Sequence, residues 1–235
     1  MIEDRPSVLA HERFVADREN FVGLDLAARF ERIERTNLWG AVTSVSGLGS
    51  ENCATAAIRE ELPGLLQRLG ARSLLDAPCG DAGWIGRTTL DVDYTGVDIV
   101  PSLIAANMAR VAQGELRCLF LVADITRDPL PVCDVILCRD CLVHLSFQNI
   151  ARAMAGFRAS GAQFLLVTTF PEWGDNRDCE DGDWRALNMT RAPFDWPPPR
   201  ELINERCDEG GGGWRDKSLG LWRLDELPAD GAGAV

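Results

Sequence analysis

Several residue types are scarce in this chain of 235 residues, and each scarcity removes a class of function. There is one tyrosine, Tyr94, and the residue four positions on is Asp98, so the Tyr-x-x-x-Lys pair of short-chain dehydrogenases is missing. There are two histidines, His11 and His144, and one close cysteine pair, Cys138-x-x-Cys141. A structural zinc site usually takes four ligands, often from two such pairs or from a pair with closely spaced histidines, so no metal centre is expected. The eight cysteines read as small apolar thiols, because so long and regular a chain is no disulfide scaffold. No window approaches the ~18–20 consecutive apolar residues of a membrane span. The N-terminus is charged throughout and lacks an apolar leader core. These absences predict a cytoplasmic protein with no membrane partner. Cations are outnumbered as well, with 24 Lys plus Arg against 36 Asp plus Glu, for a net charge of −12. Such a chain repels phosphate backbones, which disfavours nucleic acid as a partner.

What is present is alternation. Hydrophobic residues make up 46% of the chain, enough to bury a core. Strand-like runs fall at residues 73–77, 94–98, 119–123, 134–138, 163–169 and 218–224. Helical periods separate them. Pro101 opens a helix with Ile104, Met108 and Val111 on one face; Phe147, Ile150, Met154 and Phe157 line another, with Ser146 as N-cap and Gly161 as its stop. This order predicts an α/β fold with a doubly wound, mostly parallel sheet. Residues 1–72 read as a helical N-terminal region, on the stripes Leu26, Phe30, Ile33 and Ile58, Leu62, Leu65, Leu69, the second bent at Pro63. Residues 73–235 read as the core. Within it, residues 171–199 have no period, are rich in Trp, Asp and Pro, and read as a substrate cap loop.

In an open parallel sheet, ligands sit beyond the carboxyl ends of the strands. After the first strand comes Asp76-Ala77-Pro78-Cys79-Gly80-Asp81-Ala82-Gly83-Trp84, where two glycines permit tight turning and a helix is expected to follow. The second strand ends at Asp98, a carboxylate placed to accept the two hydroxyl hydrogens of a ribose. The third ends at Asp124, where a carboxylate can accept an adenine amino hydrogen.

The series DAPCGD, YTGVDIV, LVADIT and CDVILCRDCLVHL resembles the ordered motifs of class I S-adenosylmethionine-dependent methyltransferases, over residues 73–145. The flanking phrases are similar to a little-characterised bacterial subgroup with DxPCGD and CRDxLVHL motifs. Pro78 departs from the first loop glycine of many relatives. The resemblance implies a Rossmann-like seven-stranded sheet and S-adenosylmethionine as cofactor, released as S-adenosylhomocysteine. It implies that Asp76, Ala77, Pro78, Cys79, Gly80, Asp81 and Trp84 surround the methionine part. Asp98 and Ile99 would take the ribose, and Asp124 and Ile125 the adenine. Trp39, Ser46 and Gly47 would cover the cofactor, with Cys138 and Arg139 beside it. Arg139, Trp184, Arg185 and Asn188 are the expected substrate contacts. His144 is the expected base, oriented by Asp140 if the segment between them is helical.

Each assignment has a plainer alternative: a helix-capping Asp76, a solvated Asp98, an Asx-turn Asp124, a connector at residues 46–50, an anchoring Trp184 and a structural His144. The expected partner is a small molecule, methylated on an oxygen of a sugar or natural-product scaffold, with nitrogen as the second choice. A catalytically inactive binding protein of the same fold is the competing class. Amino-directed nucleic-acid enzymes carry an Asn/Asp-Pro-Pro-aromatic motif after the fourth strand, where this chain has Cys138-Arg139-Asp140-Cys141.

Overall fold

The apolar runs pair into one seven-stranded sheet in the computed structural model, which describes residues 5–114 and 118–228. In chain order the strands are β1 (Ser73–Asp76), β2 (Asp93–Asp98), β3 (Leu119–Val122), β4 (Val135–Cys138), β5 (Phe164–Thr169), β6 (Glu201–Asn204) and β7 (Ser218–Arg223). They lie side by side as β3-β2-β1-β4-β5-β7-β6. The first five are parallel, and β7 runs antiparallel between β5 and β6. Strand order reverses between β1 and β4, so a crevice opens beyond their carboxyl ends. This is the expected doubly wound, Rossmann-like architecture. Only β6 had no sequence signal of its own.

Among the described residues five helices of nine residues or more flank the sheet: α1 (Leu9–Asp17), α2 (Leu26–Thr36), α3 (Ala56–Leu69), α4 (Pro101–Ala112) and α5 (Phe147–Ala159); a short sixth, α6, spans Glu209–Gly212. Because successive strand side chains point to opposite faces, the central strands feed two cores. Ile136, Cys138, Leu165 and Val167 pack with Ile150, Met154 and Phe157 of α5. Val135, Leu137 and Leu166 pack with Ile58, Leu62 and Leu65 of α3. Helix α5 starts where its sequence says, with Ser146 accepting a hydrogen bond from the Asn149 amide at 3.3 Å.

Two local expectations change. The helix expected after Gly83 shrinks to a single 3-10 turn, Ile85–Arg87. Gly86 and the β-branched pair Thr88-Thr89 end it at once. Helix α4 keeps Ile104 and Val111 of its predicted face against the core, but Leu103 and Asn107 are buried with them while Met108 is 55% exposed. Asn107 faces the loop after β1, where its amide donates to the Gly80 carbonyl at 2.9 Å. Helix α3 contains Pro63 within its single span, Ala56–Leu69.

Residues 171–199 contain no helix or strand, yet Ala186, Leu187, Met189, Phe194 and Trp196 are buried. Side chains satisfy the backbone there. Asn176 donates to the carbonyls of Asn188 and Ala192, and Asn188 donates to those of Pro171 and Trp173. Among the described residues no helix is long and apolar enough to cross a membrane.

Gly96 sits in β2 under the loop that follows β1. A Cβ there would lie 2.7 Å from the Phe120 ring and 2.9 Å from the Cys79 Cβ. Gly96→Ala is therefore expected to destabilise the protein by about 1–3 kcal/mol. A urea-denaturation midpoint equal to wild type would show that the β1 loop does not depend on this close approach.

Candidate functional site

The loop Ala77–Asp81 is held from several sides. The Ala77 amide donates to the Leu137 carbonyl and that of Cys79 to the Val97 carbonyl, each at 2.8 Å. Asp98 accepts from the Gly80 amide on Oδ2 at 3.0 Å and from the Val100 amide on Oδ1 at 2.9 Å. Burial nevertheless pushes the Asp98 carboxyl up to about 6. Asp76 is buried too, and burial raises it to about 7 although the Tyr94 hydroxyl donates to its Oδ2 at 2.7 Å. Asp124 forms an Asx turn: its Oδ1 accepts from the Thr126 amide and hydroxyl at 2.9 and 2.6 Å. The plainer alternative for Asp124 thus describes one of its oxygens, and Oδ2 accepts no hydrogen bond among the described residues.

These acids border the first of two adjoining cavities. Of the expected cofactor residues, Asp76, Pro78, Cys79, Gly80 and Trp84 line it, with Asp98, Ile99, Asp124, Ile125 and Arg139. Trp39 and Ser46 close it from the N-terminal side. Helix α2 adds Leu26, Phe30 and Ile33, an apolar stripe that the sequence marked as a packing face. Four expected residues lie outside: Gly47, Ala77, Asp81 and Cys138. Ala77 and Cys138 are fully buried in the core, because alternate strand positions face away from the crevice. Asp81 turns to the covering loop, where its Oδ2 accepts from the Ser44 hydroxyl at 2.7 Å and the Val45 amide at 3.2 Å. The Asp81 amide in turn donates to Ser46 Oγ at 2.9 Å. Gly80, at φ +55°, has no room for a Cβ against Ser46. Residues 44–46 are thereby latched to the β1 loop.

The second cavity shares Trp39, Ser46, Asp140 and His144 with the first and extends toward Phe170, Trp184 and Trp214. Gly47 lines this cavity and not the first. Beneath its floor lies a buried cluster of two cations and two acids. Arg139 donates to Glu205 Oε2 and to the Gly49 carbonyl, both at 2.6 Å, and lies 3.4 Å from Asp140 Oδ2. Lys217, the only lysine in the chain, donates to Asp140 Oδ2 at 2.6 Å and lies 3.3 Å from Glu205. A Cβ on Gly49 would stand 2.5 Å from Asp140 Oδ2, so only glycine lets the covering loop touch this pair. Burial alone would raise the Asp140 carboxyl, but the Lys217 ammonium and the Arg139 guanidinium outweigh it and hold the group well below the usual carboxylate range.

His144 is not oriented by Asp140. The residues between them form a 3-10 turn, Leu142–His144, and Asp140 at φ +50° points instead to Lys217. The imidazole is fixed by two other contacts. Its Nδ1 lies 2.7 Å from the Asp183 carbonyl, an acceptor, so Nδ1 carries the hydrogen and Nε2 keeps its lone pair. Its ring stacks on Trp39, with centroids 4.4 Å apart. Burial lowers its pKa to about 4.

Two of the expected substrate contacts serve the loop instead. Arg185 lines neither cavity; its guanidinium donates to the carbonyls of Leu142, Leu145 and Arg177. Asn188 is buried among the backbone groups it satisfies. Trp184 faces the second cavity. Lys217 and Glu209 also line it and were missed in the sequence. The uniqueness of Lys217 was the available signal; Glu209 had none.

The buried cluster yields a stability test. Lys217→Met leaves Asp140 and Glu205 sharing one cation, and is expected to cost about 3–5 kcal/mol in urea denaturation. A loss below about 1 kcal/mol would mean that Arg139 alone balances both acids.

Comparison with known proteins agrees with this architecture. Residues 74–160 match the methyltransferase domain family. No match was found among curated protein sequences. The methyltransferase domain of bacterial CtHen1-C is 15% identical, with a TM-score of 0.51, over 73% of this chain and 98% of that one. The CtHen1-CN methyltransferase domain is 16% identical, with a TM-score of 0.44, over 49% of this chain. This chain spans 66% of that structure's length. NodS, an N-methyltransferase from Bradyrhizobium japonicum in complex with S-adenosylhomocysteine, is 16% identical, with a TM-score of 0.45, over 60% of this chain and 73% of that one. At these identities the likeness is one of fold. Residues 74–160 thus match a methyltransferase domain family, within the Rossmann-like fold described above.

Proposed function

We propose that the protein transfers a methyl group from S-adenosylmethionine to a small-molecule acceptor, with the cofactor in the first cavity and the acceptor in the second. The observation that carries this reading is the junction: Trp39, Ser46, Asp140 and His144 line both cavities. A cofactor in one and an acceptor in the other would meet there.

The donor set of the first cavity fits the cofactor. Asp98 is buried and can accept from two ribose hydroxyls beside its two amide donors. Asp124 Oδ2 can accept an adenine amino hydrogen, and Ile99, Leu103 and Ile125 offer apolar walls for the ring. Trp39 Nε1 is a buried donor with no partner among the described residues, which suits a ligand acceptor. Asp76 and the backbone at Gly80 remain for the methionine part. When bound, the cofactor supplies an electrophilic methyl group on a sulfonium that leaves readily.

The rest of the task is positioning. His144 and Trp39 hold each other flat against the junction, and Nε2 can accept a hydrogen bond or a proton from an acceptor there. An imidazole lowered to about 4 is a weak base toward an alcohol. The oxygen acceptor expected from the sequence therefore gains little from His144.

Asp98 carries the test. Losing a carboxylate that accepts two hydroxyls should cost about 2–4 kcal/mol, so Asp98→Ala should weaken S-adenosylhomocysteine binding roughly 30- to 1000-fold by calorimetry. The accepting form is the ionised one. As pH falls through about 6, Asp98 is protonated and wild-type affinity should fall about tenfold per unit. In Asp98→Asn that dependence should flatten. Unchanged affinity in Asp98→Ala would remove Asp98 from the ribose site, and no binding to wild type would remove the whole reading.

A further inference from the structure

The lining of the second cavity has a charge imbalance. Its acidic and basic side chains, besides His144, are Asp140, Glu209 and Lys217; burial raises the Glu209 carboxyl and the Lys217 ammonium opposes that rise. The Lys217 ammonium is already shared between Asp140 and Glu205, and Glu205 is in turn matched by Arg139. Those four charges cancel. Glu209 is left over: half-buried, with no hydrogen-bond or ion-pair partner among the described residues. The nearby Arg5 guanidinium does not balance it, because Arg5 lies outside the cavity, 5.0 Å from the Trp214 ring centroid, and pairs with Asp216 at 2.5 Å. One net negative charge thus remains in a pocket walled by Trp39, Phe170, Trp184 and Trp214. The second unmatched group is Nε2 of His144, an acceptor on a ring that is 6% exposed and lines the same cavity.

Two acceptors and aromatic faces, with the only ammonium already used, call for a compact cation that donates hydrogen bonds. A carboxylate or phosphate would meet uncompensated negative charge. A neutral alcohol would leave Glu209 desolvated and unpaired. We propose that the acceptor is a small amine, its nitrogen recognised by the Glu209 carboxylate and His144 Nε2, with the indoles of Trp184 and Trp214 as walls. This rests on the functional reading above and replaces oxygen with nitrogen as the methylated atom. One proton passes from the ammonium to water, because the lowered His144 imidazole is too weak a base to hold it, and Nε2 accepts a hydrogen bond from a remaining N–H. The freed nitrogen lone pair forms the N–C bond as the methyl–sulfur bond breaks, that electron pair staying on sulfur, and the product leaves as an N-methylammonium.

Benzylamine and benzyl alcohol form a matched probe pair, equal in shape and different in charge. Calorimetry on the protein loaded with S-adenosylhomocysteine is expected to give benzylamine at least about tenfold tighter binding than the alcohol. In Glu209→Gln the preference should fall to about twofold or less, with affinity for S-adenosylhomocysteine unchanged. With S-adenosylmethionine supplied instead, the expected product is N-methylbenzylamine. Equal binding of the two probes, binding of neither, a preference that survives in Glu209→Gln, or turnover of the alcohol alone overturns the proposal. Failure of wild type to bind S-adenosylhomocysteine overturns the underlying functional reading instead.

Discussion

Burying two cations and two carboxylates beneath a cavity floor is costly, several kcal/mol per ion before pairing. Arg139, Asp140, Glu205 and Lys217 offset that cost by facing one another. The four come from the ends of β4 and β6 and the start of β7, so their pairing ties the parallel half of the sheet to its antiparallel edge. The tie extends outward. Arg139 spends a donor on the Gly49 carbonyl, and the missing Cβ of Gly49 lets the covering loop rest on the Asp140–Lys217 pair. The partition between the two cavities is built on these contacts. Asp140 stands in both, and its carboxylate is held by Lys217 at a φ that only a well-braced residue keeps.

The parts legible in the sequence were those with short-range signals. Apolar runs ending in Asp76, Asp98 and Asp124 located three parallel strands and the acids at their tips, because strand and acid are neighbours in the chain. The face of α5 and its Ser146 cap were legible for the same reason. Longer-range features were not. Lys217 meets Asp140 across 77 positions and Glu205 meets Arg139 across 66, and nothing local in DKSLGLW or INERC marks a buried ion pair. Helix α2 was legible as amphipathic, but not that its stripe would wall a cavity. Asp140 and His144 illustrate a dependence on local geometry: four residues apart, they would share a face on an α-helix, and a tighter turn separates their partners.

The loop from 171 to 199 shows how irregular backbone can be both buried and fixed. Its carbonyls and amides are met by Asn176 and Asn188, and the guanidinium of Arg185 gathers three carbonyls, two of them from the turn that carries His144. Polar side chains that look like substrate contacts in sequence are here the loop's substitute for a sheet ladder. What faces the cavity is aromatic: Trp184 meets Trp214 edge to face at 4.9 Å, and Phe170 meets both.

The Trp39–His144 stack has a thermodynamic consequence. Trp39 lines both cavities, so one indole is shared by the walls of the two sites proposed above, and the loop that carries it is latched to the glycine turn by Ser44, Ser46 and Asp81. Any change in the resting position of Trp39 that one ligand favours is felt by the other through the same ring. Linkage then makes the effect reciprocal: the factor by which the first ligand alters affinity for the second equals the factor by which the second alters affinity for the first. A wall held in common turns two binding events into one coupled equilibrium.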